Sequence, residues 1–280
     1  MTKALITGTS GFIGSHIVNL LPNSICCDQK DEYGSFKPDE INVDDMNIST
    51  VYHLGAISST TETNTANIVN SNTLSSCKLL EQCIERDIPF VYASSASVYG
   101  LGNYGFSENT RLSPLNYYAI SKASFDMIVT QKIIDHPESK IVGLRYFNVY
   151  GSGEDHKEDM ASPIHKFFQQ SKKRGEVCVF EGSENYLRDF IHIADVSRIT
   201  RDAVNFPSGI YNVGTGIARS FLDVAKVISG ITKAKITEIP FPAHLLRKYQ
   251  EYTCSDNSKI DRVYDNSRIS LEAGILEFAK

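Results

Sequence analysis

The residues best suited to proton transfer are a tyrosine and a lysine four positions apart, Tyr118 and Lys122. Residues at that spacing lie on one face of a helix. A tyrosine with its ordinary pKa of about 10 is a poor base at neutral pH, whereas a neighbouring ammonium favours the phenolate. We therefore expect Lys122 to lower the pKa of Tyr118, so that the phenol can exchange a proton with a hydroxyl group. The pair alone is equally compatible with an ordinary surface contact.

A serine precedes this helix at a position where α/β proteins bind ligands. The apolar run 90–93 predicts a strand, and Ser94, Ser95 and Ala96 follow at its carboxyl end. Ligands of open α/β sheets bind at the carboxyl ends of the strands. Ser95 can therefore hydrogen-bond the same substrate oxygen as Tyr118, and the sequence predicts a catalytic group of Ser95, Tyr118 and Lys122.

Three glycines, Gly8, Gly11 and Gly14, follow the first predicted strand and open the first predicted helix. In that setting the first glycine allows a sharp turn, the second lets a pyrophosphate approach the backbone, and the third lets helix and sheet pack closely. The N–H groups at the start of the helix then face the phosphates. The spacing predicts a dinucleotide site that includes Phe12 and Ile13, although the side chains of these two residues favour the core.

Further candidate cofactor contacts follow the second and third predicted strands. Asp28 lies 20 residues after Gly8, where an acid can bind the ribose hydroxyls, although a turn cap is an equal alternative. Gln29 and Lys30 come next, and Lys30 can pair with a 2′-phosphate, so this stretch leaves NAD and NADP both open. Leu54, at the end of the third strand, completes the predicted cofactor contacts, which also include Tyr118 and Lys122.

Other polar residues are more ambiguous. Asn148 closes a predicted strand and can bind a substrate phosphate or cap the chain. Lys157 contributes only if the surrounding segment folds over the substrate, and is otherwise a solvated lysine. His53 follows a strand, and we expect a histidine bonded to the backbone rather than a catalyst.

Strands and helices alternate along the first half of the chain, which predicts the parallel βαβ units of a doubly wound, Rossmann-type α/β fold. Helical spacing of apolar residues predicts helices at 68–86, 117–134 and 163–174. Apolar runs at 190–193 and 210–213 are expected to return to the same sheet. We predict a dinucleotide-binding domain of residues 1–148 plus about 190–213, and a smaller substrate-binding lobe of residues 149–189 plus about 214–280.

Composition narrows the class of protein. The net charge of -5 argues against a general nucleic-acid binder, which needs a basic face. Six scattered cysteines form neither CxxC pairs nor a metal-ligand spacing, and we find no secretory signal or membrane span. We therefore expect a cytoplasmic enzyme that binds neither metal nor membrane.

Several longer runs resemble the extended short-chain dehydrogenases/reductases, and within that family the ADP-heptose 6-epimerases. The matching runs are 58–62, 92–96, 145–151, His156-Lys157, 160–162, 180–186, 188–190, 212–216, 239–242 and Tyr249-Gln250. The resemblance extends nearly from end to end. It implies a nucleotide-sugar epimerase with tightly held NADP, or NAD, in which a sugar carbon is oxidised to a ketone and reduced again on its opposite face.

The resemblance also implies roles for individual residues. Tyr118 and Lys157 match the acid/base groups on the two sides of the carbon, and Ser95 and Lys122 match the supporting serine and lysine. The expected contacts to the nucleotide sugar, with ADP-heptose as the expected substrate, are Ser58, Asn148, His156, Arg188 and Tyr249. A homo-oligomer is implied as well.

Two alternatives remain at this point. A related 4-epimerase or ketosugar reductase would use one acid/base and a different sugar; a non-catalytic dinucleotide-binding protein would not need Ser95, Tyr118 and Lys122. A 4,6-dehydratase is disfavoured, because Ala96 and Ser97 follow Ser95 where such enzymes have an acidic pair. The segment between Asp28 and Val51 is short for the family, which predicts a reduced or missing helix there.

Overall fold

The computed structural model describes residues 3–28, 41–43, 46–102, 105–242, 250–265 and 267–279, without the side chains of 158 and 159. Its strands, in chain order, are β1 (Lys3–Thr7), β2 (Ile25–Cys27), β3 (Ile48–His53), β4 (Phe90–Ser95), β5 (Ile141–Tyr146), β6 (Asn148–Tyr150), β7 (Glu176–Phe180), β8 (Leu187–His192), β9 (Gly209–Val213), β10 (Ala218–Ser220), β11 (Lys235–Ile239) and β12 (Tyr252–Thr253). Its α-helices are α1 (Phe12–Leu20), α2 (Thr65–Ile68), α3 (Ser75–Glu85), α4 (Tyr117–Asp135), α5 (Pro163–Arg174), α6 (Ile193–Asp202), α7 (Phe221–Thr232) and α8 (Leu271–Glu277). None of the helices in these ranges is long and apolar enough to cross a membrane.

Six parallel strands form the main sheet in the order β2-β1-β3-β4-β5-β9. The helices α1 and α4 and the α2–α3 pair connect successive strands, as parallel pairing requires. The strand order reverses at β1, because β2 pairs on one side of it and β3 on the other. Open α/β sheets bind ligands at the carboxyl ends of the strands beside such a reversal of strand order. The predicted Rossmann-type α/β fold is confirmed.

Apolar side chains cover both faces of this sheet. On one face, Ile17 of α1 and Val196 and Ile199 of α6 pack against the strands, and all three are fully buried. On the other face, Leu79 of α3 and Val129 of α4 do the same. Each fully buried aliphatic side chain contributes about 1.5–3 kcal/mol of hydrophobic free energy, so the two layers stabilise the sheet.

A second group of elements follows β5. Helix α5 spans the residues that the sequence predicts, with Pro163 in its first turn, a cap from Ser162 and left-handed Gly175 at its end. It packs with α7 and α8 around a separate apolar core, next to the parallel pair β7 and β11. Strand β8 pairs with β10 and β12 through its first half and with β6 through its second half.

One strand prediction is confirmed and one is wrong. Residues 210–213 join the main sheet as part of β9. Residues 190–192, in contrast, belong to β8 and the second sheet, and Ile193 begins α6. An apolar run specifies a buried strand but not its partner, and here β6 presents a free edge immediately after β5. The predicted loss of a helix between Asp28 and Val51 concerns residues that lie mostly outside the described ranges.

Candidate active site

The loop between β1 and α1 is a tight glycine turn. Gly8 has a left-handed φ of +74°, and a Cβ there would lie 2.6 Å from Cα of Gly55. A Cβ on Gly14 would lie 2.0 Å from the carbonyl oxygen of Gly8. Any side chain at either position would therefore collide with backbone, which explains why glycine occupies both.

Helix α1 begins without a side-chain cap. Its N-cap is Gly11, which has no side chain to accept hydrogen bonds from the first-turn N–H groups. Phe12 is buried and Ile13 packs against the core, so both contribute backbone rather than side chain to the loop. The uncapped N–H groups and the partial positive charge of the helix terminus fit the pyrophosphate of a dinucleotide.

Asp28 and Leu54 border this loop, one on each side of β1. The N–H of Ser10 donates to Oδ2 of Asp28 at 2.9 Å, which ties the glycine turn to the end of β2. The N–H of Leu54 donates to the carbonyl oxygen of Thr7 at 3.3 Å, and this backbone passes directly against Gly8. The predicted contacts Gln29 and Lys30 lie outside the described residues.

Helix α4 presents Tyr118 and Lys122 next to the carboxyl end of β4. Asn116 caps the helix by accepting from the N–H of Ala119 at 2.8 Å. The ammonium of Lys122 is buried and donates to the carbonyl oxygen of Ala93 at 2.8 Å. Burial lowers the pKa of Lys122 to about 8, with the Asp126 carboxylate acting in the opposite direction. The lysine thus joins the helix to the strand.

Tyr118 lies beside Ser95, the last residue of β4. Burial raises the pKa of Tyr118, and a side-chain hydrogen bond with Ser95 partly offsets that rise. Ser95 also caps the following turn by accepting from the N–H of Ser97 at 3.2 Å. The expectation that Lys122 lowers the pKa of Tyr118 is wrong for the side chains as the structure places them, because burial dominates and the ammonium is directed at Ala93.

A buried carboxylate that the sequence reasoning missed lies beneath this pair. Asp126 accepts hydrogen bonds from the Tyr92 hydroxyl at 2.9 Å, the Ser94 hydroxyl at 3.0 Å and Nε of Arg145 at 2.8 Å. It follows Lys122 by one more helical turn, and its charge favours the ammonium form of that lysine. The continued four-residue spacing after Tyr118 and Lys122 is a signal that could have identified it.

Asn72 connects the loop after β3 to α4. The predicted helix at 68–86 begins earlier, at Thr65, and contains a π-helical segment, Val69–Leu74, in which Asn72 is buried. Its amide accepts from the N–H of Ile57 at 2.8 Å and donates to the carbonyl oxygen of Ile57 at 2.9 Å. It also donates to Oγ of Ser121 at 3.0 Å. Nothing in the sequence pattern singles out this asparagine.

His53 has a structural role. Its ring nitrogens hydrogen-bond the hydroxyls of Thr7 at 2.8 Å and Ser76 at 2.7 Å. Burial, aided by Lys122, lowers the pKa of His53 to about 3, so the ring is neutral at physiological pH. The expected backbone partner is therefore wrong: two side-chain hydroxyls hold this histidine between β1, β3 and α3.

Lys157 reaches the start of α1 from the short 3₁₀ helix Asp155–Met160. Its Nζ lies 4.6 Å from the centroid of the Phe12 ring and donates to Oε2 of Glu154 at 3.0 Å. Asn148 is partly buried at the start of β6, and His156 is exposed. The structure thus brings Lys157 to the glycine loop, whereas it leaves the neighbouring histidine in solvent.

The remaining predicted substrate contacts are more dispersed. Ser58 is exposed in the loop after β3. Arg188 lies in β8, where it is buried, donates to the carbonyl oxygens of Leu187 and Gln250 and stands 5.5 Å over the Phe221 ring. Tyr249 lies outside the described residues. The structure therefore gathers two groups, Ser95 with Tyr118 and Lys122, and the glycine loop with Asp28, Leu54 and Lys157.

Comparison with known proteins gives consistent matches over nearly the whole chain. A sequence model described as the NAD dependent epimerase/dehydratase family matches residues 37–214. The ADP-L-glycero-D-manno-heptose-6-epimerase of Brachyspira hyodysenteriae is 38% identical over 306 residues, covering 99% of this chain and 96% of the relative. The crystal structure of Helicobacter pylori ADP-L-glycero-D-manno-heptose-6-epimerase matches with a TM-score of 0.85 at 27% identity, covering 99% of this chain and 94% of the other. A structure of MoeE5 in complex with UDP-glucuronic acid and NAD matches with a TM-score of 0.82 at 27% identity, covering 98% and 97% of the two chains.

Proposed function

Because the chain belongs to the NAD dependent epimerase/dehydratase family, we propose that it is a nucleotide-sugar epimerase that inverts C6 of ADP-L-glycero-D-manno-heptose. The observation that carries this proposal is the position of Lys157, which approaches the first turn of α1 from outside the main sheet. Tyr118 lies on α4 beside Ser95 at the end of β4. Inversion needs proton transfer on both sides of one carbon, and these are two separate groups able to provide it.

The glycine loop is the proposed site of the nicotinamide dinucleotide, which when bound accepts hydride from the sugar carbon and returns it to the opposite face. The proposal is supported by the tight backbone turn that Gly8, Gly11 and Gly14 allow before the uncapped start of α1, and by Asp28, which is hydrogen-bonded to that turn and is the proposed partner of a ribose hydroxyl. NADP is the proposed form, with Lys30 of the sequence as the partner of the 2′-phosphate and NAD as the alternative. Mass spectrometry of the nucleotide released on denaturation distinguishes the two.

The proposed proton transfers use the chain's own side chains. The Ser95 hydroxyl holds the reacting oxygen of the sugar. Burial raises the pKa of Tyr118, so it is the minor, ionised form of this side chain that takes the proton of that oxygen as the alcohol becomes a ketone. After the sugar turns over, the Lys157 ammonium gives a proton to the same oxygen as the alcohol forms again. In the reverse direction the two groups exchange roles.

Substrate contacts are proposed for the elements outside the main sheet. Asn148, His156 and Arg188 lie on or beside β6 and β8, and Ser58 follows β3. Tyr249 is proposed as a further contact from the sequence alone. The division into a dinucleotide-binding domain and a substrate-binding lobe is proposed on the same basis, with β8 moved from the former to the latter. We also propose a homo-oligomer.

The test is incubation of the purified protein with a panel of nucleotide sugars, followed by NMR. We expect equilibration of the two C6 epimers of ADP-heptose with no cofactor added. Inversion at C4 of another sugar would favour the 4-epimerase instead. Stoichiometric consumption of added reduced nicotinamide would favour a ketosugar reductase.

A further inference from the structure

Glu154 is a fully buried carboxylate in the turn after β6. Its side chain has no solvent-exposed surface. Oε1 accepts from the Ser162 hydroxyl at 2.7 Å and from the N–H of Gly151 at 3.3 Å, and Oε2 accepts from the N–H of Ser162 at 2.7 Å. The fourth donor is the ammonium of Lys157, at 3.0 Å from Oε2.

Among these four donors, Lys157 alone is charged. A carboxylate buried away from water is costly unless a charged partner and hydrogen bonds satisfy it, and the three neutral donors fix the carboxylate in one orientation. Lys157 itself is one-quarter exposed, so solvent alone would leave its long side chain many conformations. Its second contact is the face of the Phe12 ring, 4.6 Å from Nζ.

We propose that Glu154 is a positioning residue, whose fixed carboxylate holds the Lys157 side chain over the first turn of α1 as the acid/base group on its side of the sugar. This inference rests on the proposed function, since it gives Glu154 a role only through Lys157. Glu154 does not touch the reacting atoms; it sets the position of the group that does. A charge-assisted hydrogen bond is stronger and more directional than a neutral one, so the carboxylate is better suited to this role than an amide.

A purely structural role for Glu154 makes a different prediction. In that case the carboxylate would serve the α5 cap, because Ser162 donates to it and also accepts from the N–H of His165. Ser162→Ala removes one donor from Glu154 and the cap of α5 but leaves the contact with Lys157. It is therefore the matched control for Glu154→Gln, which keeps the shape and removes the charge.

The experiment measures the two half-reactions separately, because the net rates of an epimerase in its two directions remain tied by the equilibrium constant. Enzyme loaded with oxidised nicotinamide is mixed with each C6 epimer, and reduced nicotinamide is followed by absorbance in a single turnover. We expect Glu154→Gln to slow the half-reaction that depends on Lys157 about tenfold, and the one that depends on Tyr118 less than about twofold. Ser162→Ala should lower the thermal midpoint of unfolding but affect the two half-reactions equally. The double variant Glu154→Gln/Lys157→Met should be no slower than Lys157→Met.

Equal slowing of both half-reactions by Glu154→Gln, or additive losses in the double variant, would overturn the positioning role. If Lys157→Met slows neither half-reaction, the proposed function fails instead, and this outcome is distinct from failure of the Glu154 role.

A second readout does not depend on activity. An amine-reactive reagent must reach the nitrogen of Lys157, and the contacts with Glu154 and the Phe12 ring hold that nitrogen in one position. We expect labelling of Lys157, followed by peptide mass spectrometry, to become several-fold faster in Glu154→Gln, while the exposed Lys173 is labelled at an unchanged rate. If Glu154→Gln fails to fold, Glu154→Asp, which keeps the charge but withdraws it by one methylene, is measured in its place. An unchanged labelling rate in the folded variant would contradict the proposal.

Discussion

The ammonium of Lys122 is buried between α4 and β4, so we expect activity to fall when this lysine loses its proton. Burial lowers the pKa of Lys122 from 10.5 to about 8, even though Asp126 favours the charged form. Roughly nine in ten of these side chains are then protonated at pH 7 and roughly one in ten at pH 9. If the charged form is required, kcat falls about tenfold between those two values. A lysine with its ordinary pKa would lose only about 3% over the same range.

The assay is the initial rate of epimer equilibration, followed by NMR from pH 6 to pH 10, with circular dichroism to verify folding at each pH. Tyr118 does not produce this alkaline loss, because burial raises its pKa and ionisation would supply the base rather than remove it. The control is Lys122→Arg, which stays charged throughout and should be slower but nearly independent of pH up to about 9.5. A wild-type rate that is flat to pH 10, or the same alkaline loss in Lys122→Arg, would show that Lys122 does not cause the loss.

Three further predictions concern the loop, the buried network and the structural histidine. Gly14→Ala places a Cβ 2.0 Å from the Gly8 carbonyl oxygen, so the variant should no longer retain the dinucleotide. The control is Gly230→Ala in α7, whose Cβ meets open space and which should retain it. Retention is measured by the absorbance of the purified variants, and equal retention would contradict the role of the glycine loop. Asp126→Ala leaves the Arg145 guanidinium buried without its charged partner and should lower the free energy of unfolding, measured in urea, by about 3–5 kcal/mol. A loss below about 1 kcal/mol would contradict this prediction. His53, with its pKa lowered from 6.5 to about 3, binds a proton more readily when unfolded, so stability is complete above about pH 6.5 and declines as the pH falls towards 3. Between pH 7 and pH 5 the wild type should lose about 2 kcal/mol more than His53→Gln, and parallel urea-unfolding curves for the two proteins would oppose this.

Local chemistry made much of the fold predictable from the sequence. The glycine spacing of the first loop requires a backbone path that other residues cannot follow, as Gly8 and Gly14 show. Helix α5 has a proline at its start and a glycine at its end, and it occupies the predicted residues. The spacing of Tyr118 and Lys122 likewise follows from helical geometry alone.

Long-range contacts were the part that the sequence could not supply. The partner of β8 depends on which strand has a free edge, and the apolar pattern of residues 190–192 is compatible with a strand in either sheet. The direction of the Lys122 ammonium, towards Ala93, depends on how closely α4 packs on β4. Glu154 is a charged residue in a polar segment and gives no sign in the sequence that it is buried.

In the proposed reaction, one carbon of the sugar is oxidised and reduced again within the same site. The most direct test uses ADP-L-glycero-D-manno-heptose carrying deuterium at C6, incubated in ordinary water with the purified protein and no added cofactor. NMR should show both C6 epimers with the deuterium still on C6, because the hydrogen never exchanges with solvent. Loss of the deuterium to water, or no second epimer from folded protein that carries the dinucleotide, would contradict the account.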